Sequence, residues 1–367
     1  MKTISVETIR AWLEEGRSVT ILDVRPTAEW AEWAIPGSIH VDAYDALKAR
    51  DPAALADVEV PSDVPVVTVC AAGKTSLVAA QQLQARGLQA LSLDGGMKAW
   101  SLAWNTAEVP VHASHVRIIQ VRRTGKGCLS YLIGAGEEAL VIDAALDQQV
   151  YLDLASKYGW QITSVFDTHI HADHLSRSRQ LAERSGATLF LPAQQRVSFP
   201  FTTIRDGNTL ATGTMLLTAL HTAGHTMEST CYLLNNHILF TGDTLFPTGI
   251  GRPDLEADEQ QARVRASALY HSLHKLLALP SDTLVLPGHT STPVPFDGIP
   301  IAATLAEIDE EVGIIHATHD LFVQMILRRI PPTPPNYHRI ITFNEAGVLP
   351  ESDVTELEAG ANRCAIS

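Results

Sequence analysis

Residues 166–174 read Phe-Asp-Thr-His-Ile-His-Ala-Asp-His, so His169, His171, Asp173 and His174 fall within six positions. That density of imidazole and carboxylate groups is too high for a chance surface arrangement. Neutral imidazoles and carboxylates that converge on one point bind a metal ion. A β-rich segment, Ile162–Phe166, leads into the run. The four side chains therefore sit on a strand-end loop, which can make them converge.

A second reactive stretch is Val-Val-Thr-Val-Cys-Ala-Ala-Gly-Lys-Thr-Ser, residues 66–76. Its last four residues look like the end of a phosphate-binding P-loop. That motif needs a glycine five residues before Gly73, where the backbone turns around a phosphate. Thr68 stands there, β-branched and inside a run of valines. The P-loop reading fails on that count. Cys70 instead ends a strand, and a helix starts near Thr75. The loop between them aims backbone N–H groups at one point, at a positive helix end. Such a setting stabilises a thiolate or a persulfide, and Lys74 adds charge. The plainer alternative is a buried cysteine at a strand end.

Strand-like and helix-like segments alternate through residues 1–105. Strands are expected near Val19–Val24, Ser38–Val41, Val66–Cys70 and Ala90–Leu93, with a helix over Leu77–Arg86 ended by Gly87. This pattern predicts an α/β unit with a mainly parallel sheet and flanking helices. Residues 105–115 lack periodicity and contain Pro110, which sets a boundary there: one unit over 1–108, another over 109–367. The second opens with strands at Val116–Val121, Cys128–Ile133 and Ala139–Ile142. Later come a long helix over Gln260–Leu279, a strand at Leu284–Pro287, and a helix near Ile301–Arg329. The tail turns Pro-rich at 331–335.

The 367 residues suffice for two domains, and 46% hydrophobic with 19% charged residues fits packed cores. A formal charge of −14 argues against a nucleic-acid groove. No apolar run is long enough to cross a bilayer, so no membrane association is expected. The first sixteen residues read as an amphipathic helix start, not a signal peptide. Four widely spaced cysteines suggest no disulfide framework, and the expected setting is the reducing cytoplasm.

The segments 22–30, 35–41, 70–76 and 93–100 together, in order, resemble the rhodanese family of sulfurtransferases. The resemblance covers nearly all of residues 1–105. It implies that Cys70 carries sulfane sulfur as a persulfide, cradled by Ala71, Ala72, Gly73, Lys74, Thr75 and Ser76. Thiosulfate or a small thiol would be the partner. Trp33-Ala34 depart from the Gly-His that often precedes Ile-Pro-Gly in that family.

In the second unit, the loop at 166–174 is joined by His225 in Thr-Ala-Gly-His-Thr, Asp243 after a strand, and His289 in Leu-Pro-Gly-His-Thr. The set resembles the metallo-β-lactamase superfamily over about residues 116–300. The resemblance implies an αββα sandwich with metal at one edge of its sheets. Two branches are weighed. In glyoxalase II-like thioester hydrolases, two metals, most often zinc, would take His169, His171, His225 and Asp243 at one site. Asp173, His174, Asp243 and His289 would form the other. In persulfide dioxygenases, a single Fe(II) would be held by His169, His225 and Asp243, with O2 as co-substrate. His171, Asp173, His174 and His289 would then stand behind them. Residues 242–255, Gly-Asp-Thr-Leu-Phe-Pro-Thr-Gly-Ile-Gly-Arg-Pro-Asp-Leu, resemble the dioxygenase pattern. Ser-Thr-Pro after His289 departs from it.

The two resemblances together imply a sulfur-metabolism enzyme. It would oxidise a persulfide such as glutathione persulfide to sulfite and move sulfur through Cys70. The alternatives are a zinc thioester hydrolase and a non-catalytic persulfide sensor. A homo-oligomer, most simply a dimer, is the expected assembly. Arg177 and Arg252 are candidate grips for a substrate carboxylate. Cys128 and Cys231 fall in strand patterns as core thiols, while Cys364 is expected to be exposed. His221 reads as structural, and His316 and His319 as a solvated helix face.

Overall fold

A central run of valines organises the first unit. Val66–Val69 is wholly buried and parallel to both Thr20–Asp23 and Ala90–Leu93. Thr3–Ile4 and Ile39–His40 complete a five-stranded parallel sheet. β-branched residues suit such a two-sided buried strand. The computed structural model describes residues 2–111, 115–351 and 353–366 of the chain. The helix expected over Leu77–Arg86 begins three residues earlier, as Lys74–Ala85. It starts there because Gly73, in the left-handed conformation at φ 80°, lets the chain turn directly from loop to helix.

The second unit packs two sheets face to face. One has seven strands, ordered Thr202–Ile204, Thr188–Pro192, Gln161–Phe166, Glu138–Ile142, Leu129–Ala135, Arg117–Arg122, Asn105–Val109. The other has six, ordered Thr209–Thr212, Met215–His221, Thr230–Leu234, Ile238–Gly242, Leu284–Pro287, Ala303–Thr304. Between them lies one core containing Tyr131, Ile133 and Phe166 from the first sheet and Leu217, Tyr232, Phe240 and Leu286 from the second. Helices Gln148–Lys157 and Ser178–Ser185 cover one outer face. Helices Glu259–Leu277 and His319–Arg328 cover the other, giving αββα layers.

Two segments differ from expectation. The helix expected near Ile301–Arg329 is two helices, Leu305–Glu311 and His319–Arg328, separated by a 3-10 turn over Gly313–His316. Thr304 starts the first with a capping box to Glu307, and Gly313 disfavours its continuation. Asn105–Val109 is a strand of the seven-stranded sheet, so the expected 108/109 boundary falls inside it. Residues 112–114 of the expected linker lie outside the described residues.

The Pro-rich run does not end the chain's packing. Helix Tyr337–Ala346 follows it, and then a segment that returns across both units. Lys98 in the first unit pairs with Asp353 at 3.2 Å and Glu356 at 2.9 Å. Glu358 is buried in the second unit against Arg123 at 2.9 Å. Ala365–Ile366 forms a short strand on Gly249–Gly251. Among the described residues no helix is long and apolar enough to cross a membrane.

Candidate metal centre

Each candidate ligand stands at the end of a strand, so the sandwich brings distant segments to one edge. His169 follows Gln161–Phe166, His225 follows Met215–His221, Asp243 follows Ile238–Gly242, and His289 follows Leu284–Pro287. His169, His225 and Asp243 offer donor atoms that all lie within 4.8 Å of one another. His169 Nε2 is 3.7 Å and His225 Nε2 3.4 Å from Asp243 Oδ2. His289 Nδ1 approaches Asp243 Oδ1 to 2.6 Å without hydrogen-bond alignment, and its Nε2 is 3.5 Å from Asp173 Oδ2.

The buried groups here test whether a cation fits. His169 Nε2, His171 Nδ1, His174 Nε2, both Asp243 oxygens and both His289 nitrogens are buried without a hydrogen-bond partner. Each such group costs roughly 1–3 kcal/mol if left unmet. Seven such atoms among these neighbouring side chains are a donor set suited to metal. Burial, then His171, pushes His169 well below the usual imidazole range, which favours the neutral, ligating form. Burial likewise lowers His225 and His174. Burial opposes ionisation of Asp243, but His289 and His169 outweigh it and hold the carboxyl low.

Groups behind the ligands fix their orientation. His169 Nδ1 is 2.9 Å from Thr168 Oγ1, whose hydroxyl donates to Asp143 Oδ2 at 2.9 Å. His225 Nδ1 donates to the Arg252 carbonyl at 2.8 Å, which turns its Nε2 lone pair toward Asp243. His171 groups instead with Asp143 and Asp167. Its Nε2 lies 3.2 Å from Asp143 Oδ1. Burial works against its charge, but Asp143 and Asp167 lift the ring to about 10. His174 Nδ1 is 3.0 Å from Asp173 Oδ1. A cavity of about 30 Å³ reaches His169 and His171, room for about two waters.

In the first unit, Cys70 ends its strand buried, with Sγ 3.3 Å from Ser76 Oγ, which meets Ser92 Oγ at 2.8 Å. The loop rests on a second turn: Met97 N–H donates to the Cys70 carbonyl at 2.9 Å, and Lys98 N–H to the Ala71 carbonyl at 3.0 Å. Gly96 makes this possible. A Cβ there would come within 2.2 Å of the Cys70 carbonyl oxygen. Ala71, Ala72 and Lys74 are exposed, while Gly73, Thr75 and Ser76 are buried.

Comparison with known families agrees with this geometry. A rhodanese-like domain matches residues 5–103. The metallo-beta-lactamase superfamily matches residues 123–202 and 192–289. The chain is a rhodanese domain joined to a metallo-β-lactamase domain. The fusion is 33% identical over 163 residues to a hydroxyacylglutathione hydrolase of Rhizobium etli, covering 44% of this chain and 57% of that protein. A Brucella ovis protein of the same name is 32% identical over 158 residues, covering 42% and 55%. The fusion thus spans little more than half the length of these curated relatives. Among solved structures, ETHE1 from Myxococcus xanthus is 31% identical with a TM-score of 0.55, covering 62% of this chain and 97% of that one. A metallo-beta-lactamase from Staphylococcus aureus subsp. aureus COL is 26% identical with a TM-score of 0.59, covering 64% and 74%.

Three residues of the fusion stand differently from expectation. Arg177 is buried, and its guanidinium lies 3.5 Å from Glu358. Arg252 is fully buried, paired with Asp254 at 2.8 Å and donating to the carbonyls of Pro331, Pro332 and Arg363. Both guanidiniums hold the protein's own groups, so neither is a free grip for a substrate. Cys364 is 1% exposed, because the last strand carries it into the metal cleft. Sequence reasoning also missed Asp143, Thr168, Cys128 as a neighbour of Asp173, and Asn362. Cys128 Sγ donates to Asp173 Oδ2 at 3.2 Å, and Asn362 Nδ2 to the same oxygen at 3.0 Å. Only Asp143 had a local signal, a carboxylate at a strand end.

Proposed function

We propose that this fusion oxidises a small-molecule persulfide at a mononuclear iron centre and transfers sulfane sulfur through Cys70. The observation that carries the reading is the buried trio His169, His225 and Asp243, beside which His171 turns its Nε2 to Asp143. Two imidazoles and one carboxylate are the donor set of oxygen-using non-haem iron. Likeness to ETHE1 across 97% of that protein supports this branch. In this reading the strand Asn105–Val109 and the residues after it form the oxidising unit, and the residues before it the sulfurtransferase.

When bound by the trio, Fe(II) supplies open positions for O2 and for the substrate sulfur. The chain's own part is positioning. Asp143, through Thr168, holds His169 in one tautomer, and the Arg252 carbonyl does the same for His225. Burial of all the donors keeps bulk water from competing for them. The overall balance is one glutathione persulfide, one O2 and one water giving glutathione, sulfite and two protons. In the first unit, the Cys70 thiolate attacks the outer sulfur of thiosulfate. A Cys70 persulfide forms and sulfite leaves, and the Ala71–Ser76 loop surrounds the bound sulfur. A second thiolate then takes that sulfur.

The test is the full chain purified without air, loaded with ferrous iron and given glutathione persulfide. O2 uptake with sulfite release is expected, and absence of uptake refutes the oxidase reading. Thiosulfate-to-cyanide transfer is expected to fall to background in Cys70→Ser.

A second reading is zinc-dependent hydrolysis of a glutathione thioester. His171 Nδ1, buried and unpartnered, is the observation in its favour, since it could serve as a further donor. The hydroxyacylglutathione hydrolase relatives support it. Turnover of S-lactoylglutathione by the zinc-loaded chain would establish it over the first.

A further inference from the structure

Residues 362–366 enter the metal cleft in a fixed conformation. Ile366 pairs with Ile250 and Ala365 with Gly251. Arg252 N–H donates to the Cys364 carbonyl at 3.0 Å, and Arg252 Nη1 to the Arg363 carbonyl at 3.1 Å. Asn362 Oδ1 accepts from Cys364 N–H at 2.9 Å, while its Nδ2 donates to Asp173 Oδ2 at 3.0 Å. Cys364 is therefore clamped on both sides, with one clamp resting on a candidate ligand.

The thiol of Cys364 meets two other donors. Its Sγ, a carboxylate oxygen of Asp173 and a ring nitrogen of His289 all lie within 4.8 Å of one another. Ligands of a tetrahedral zinc stand about 2.0–2.3 Å from the ion. Closing on one ion would draw the trio inward to that range. A cysteine alone would say little, but His289 points independently to a ligand. It is 3% exposed, and its Nε2, on the Asp173 side, has no hydrogen-bond partner.

We propose that Cys364 is a thiolate ligand of a second metal position, completed by Asp173 and His289 and distinct from the His169–His225–Asp243 position. Binding takes the thiol proton to solvent and leaves sulfur bound to the ion. A nitrogen, oxygen and sulfur set favours a borderline-soft divalent cation, zinc above all, over magnesium, calcium or manganese. The tail then staples itself to the cleft. Three protein donors leave one position of a tetrahedral ion open. The inference goes beyond the proposed reaction and holds for either chemistry at the first position.

Cobalt(II) substitution of the metal-stripped full chain tests it. The expected wild-type result is two cobalt ions per chain with a near-ultraviolet thiolate-to-cobalt charge-transfer band. Cys364→Ser is expected to lose the band and keep one ion. Its affinity for the second ion should fall by more than the roughly 10–100-fold that losing an outer-shell partner costs. A band that survives in Cys364→Ser overturns the proposal, as does a band lost only in Cys128→Ser. Cadmium-113 resonance of the wild-type chain needs no variant: a cadmium with a sulfur ligand is expected, and cadmium with nitrogen and oxygen ligands alone overturns the proposal. That failure would leave O2 uptake at the first position untouched, so the two readings fail separately.

Discussion

Replacing Glu358 by Gln should unseat the C-terminal segment at a cost that can be worked from its surroundings. The carboxylate is fully buried, 2.9 Å from Arg123 Nη2 and 3.5 Å from Arg177, and accepts from Leu175 N–H at 2.6 Å. Burial alone would raise its pKa, but Arg123 and then Arg177 dominate and hold it at about 2, against an ordinary 4.5. A fall of about 2.5, at about 1.36 kcal/mol per unit, is worth about 3 kcal/mol. The sign follows from the depressed value. This stabilisation is complete above pH 4.5 and is lost as pH falls from 4.5 toward 2. Gln keeps the shape but leaves two buried guanidiniums short of a counter-charge, for which roughly 3–5 kcal/mol is usual. Urea unfolding at pH 7 should therefore show Glu358→Gln about 3 kcal/mol less stable than wild type, with the gap closing as pH falls below 4.5. Equal stability at pH 7, or a gap unchanged down to pH 3, would refute the reasoning.

Other consequences are open to measurement. Filling the first position at about 100 times its dissociation constant should stabilise the metal-stripped Cys364→Ser chain by about 2.7 kcal/mol in thermal melts; an equal gain once His169→Ala and Asp243→Asn are added to it would contradict the assigned ligands. Thr168→Val removes the hydroxyl between Asp143 and His169. First-position metal affinity should drop roughly 10–100-fold in a competition titration, and an unchanged affinity would remove Thr168 from the site. Gly96→Ala drives a methyl group into the Cys70 carbonyl at a residue with φ 58°. It should lower thiosulfate-to-cyanide transfer although Cys70 is intact, and a wild-type rate would show that the loop does not depend on this packing.

The metal cleft was legible because one loop directly after a strand, His169 to His174, packs four candidate donors into six positions. Short-range spacing survives in sequence. The Cys70 loop was legible for the same reason. The tail was not, because Asn362 meets Asp173 across 189 residues and Ala365–Ile366 is too short to show alternation. Arg177 and Arg252 illustrate the intermediate case. Carboxylate binding is what a guanidinium does, and both do it. Their carboxylates are the protein's own Glu358 and Asp254, and sequence has no means of telling an internal partner from a substrate.

The joint between the units is built from buried polar groups, and this bears on whether they move independently. Domain pairs with small polar interfaces usually shift relative to one another. Here Arg123, fully buried, donates to the Ser101 carbonyl at 2.7 Å, the Ala145 carbonyl at 3.3 Å and Glu358 at 2.9 Å. Desolvating a guanidinium costs several kcal/mol, and only good geometry with every donor met offsets that. Rotating one unit against the other would separate Arg123 from Ser101 and leave the charge buried without its partners. Lys98 adds a second constraint. Its backbone N–H supports the Cys70 loop, and its ammonium meets Glu356, two residues before Glu358. The Cys70 loop and the metal cleft are thus tied to one short C-terminal segment, and displacing that segment should loosen both.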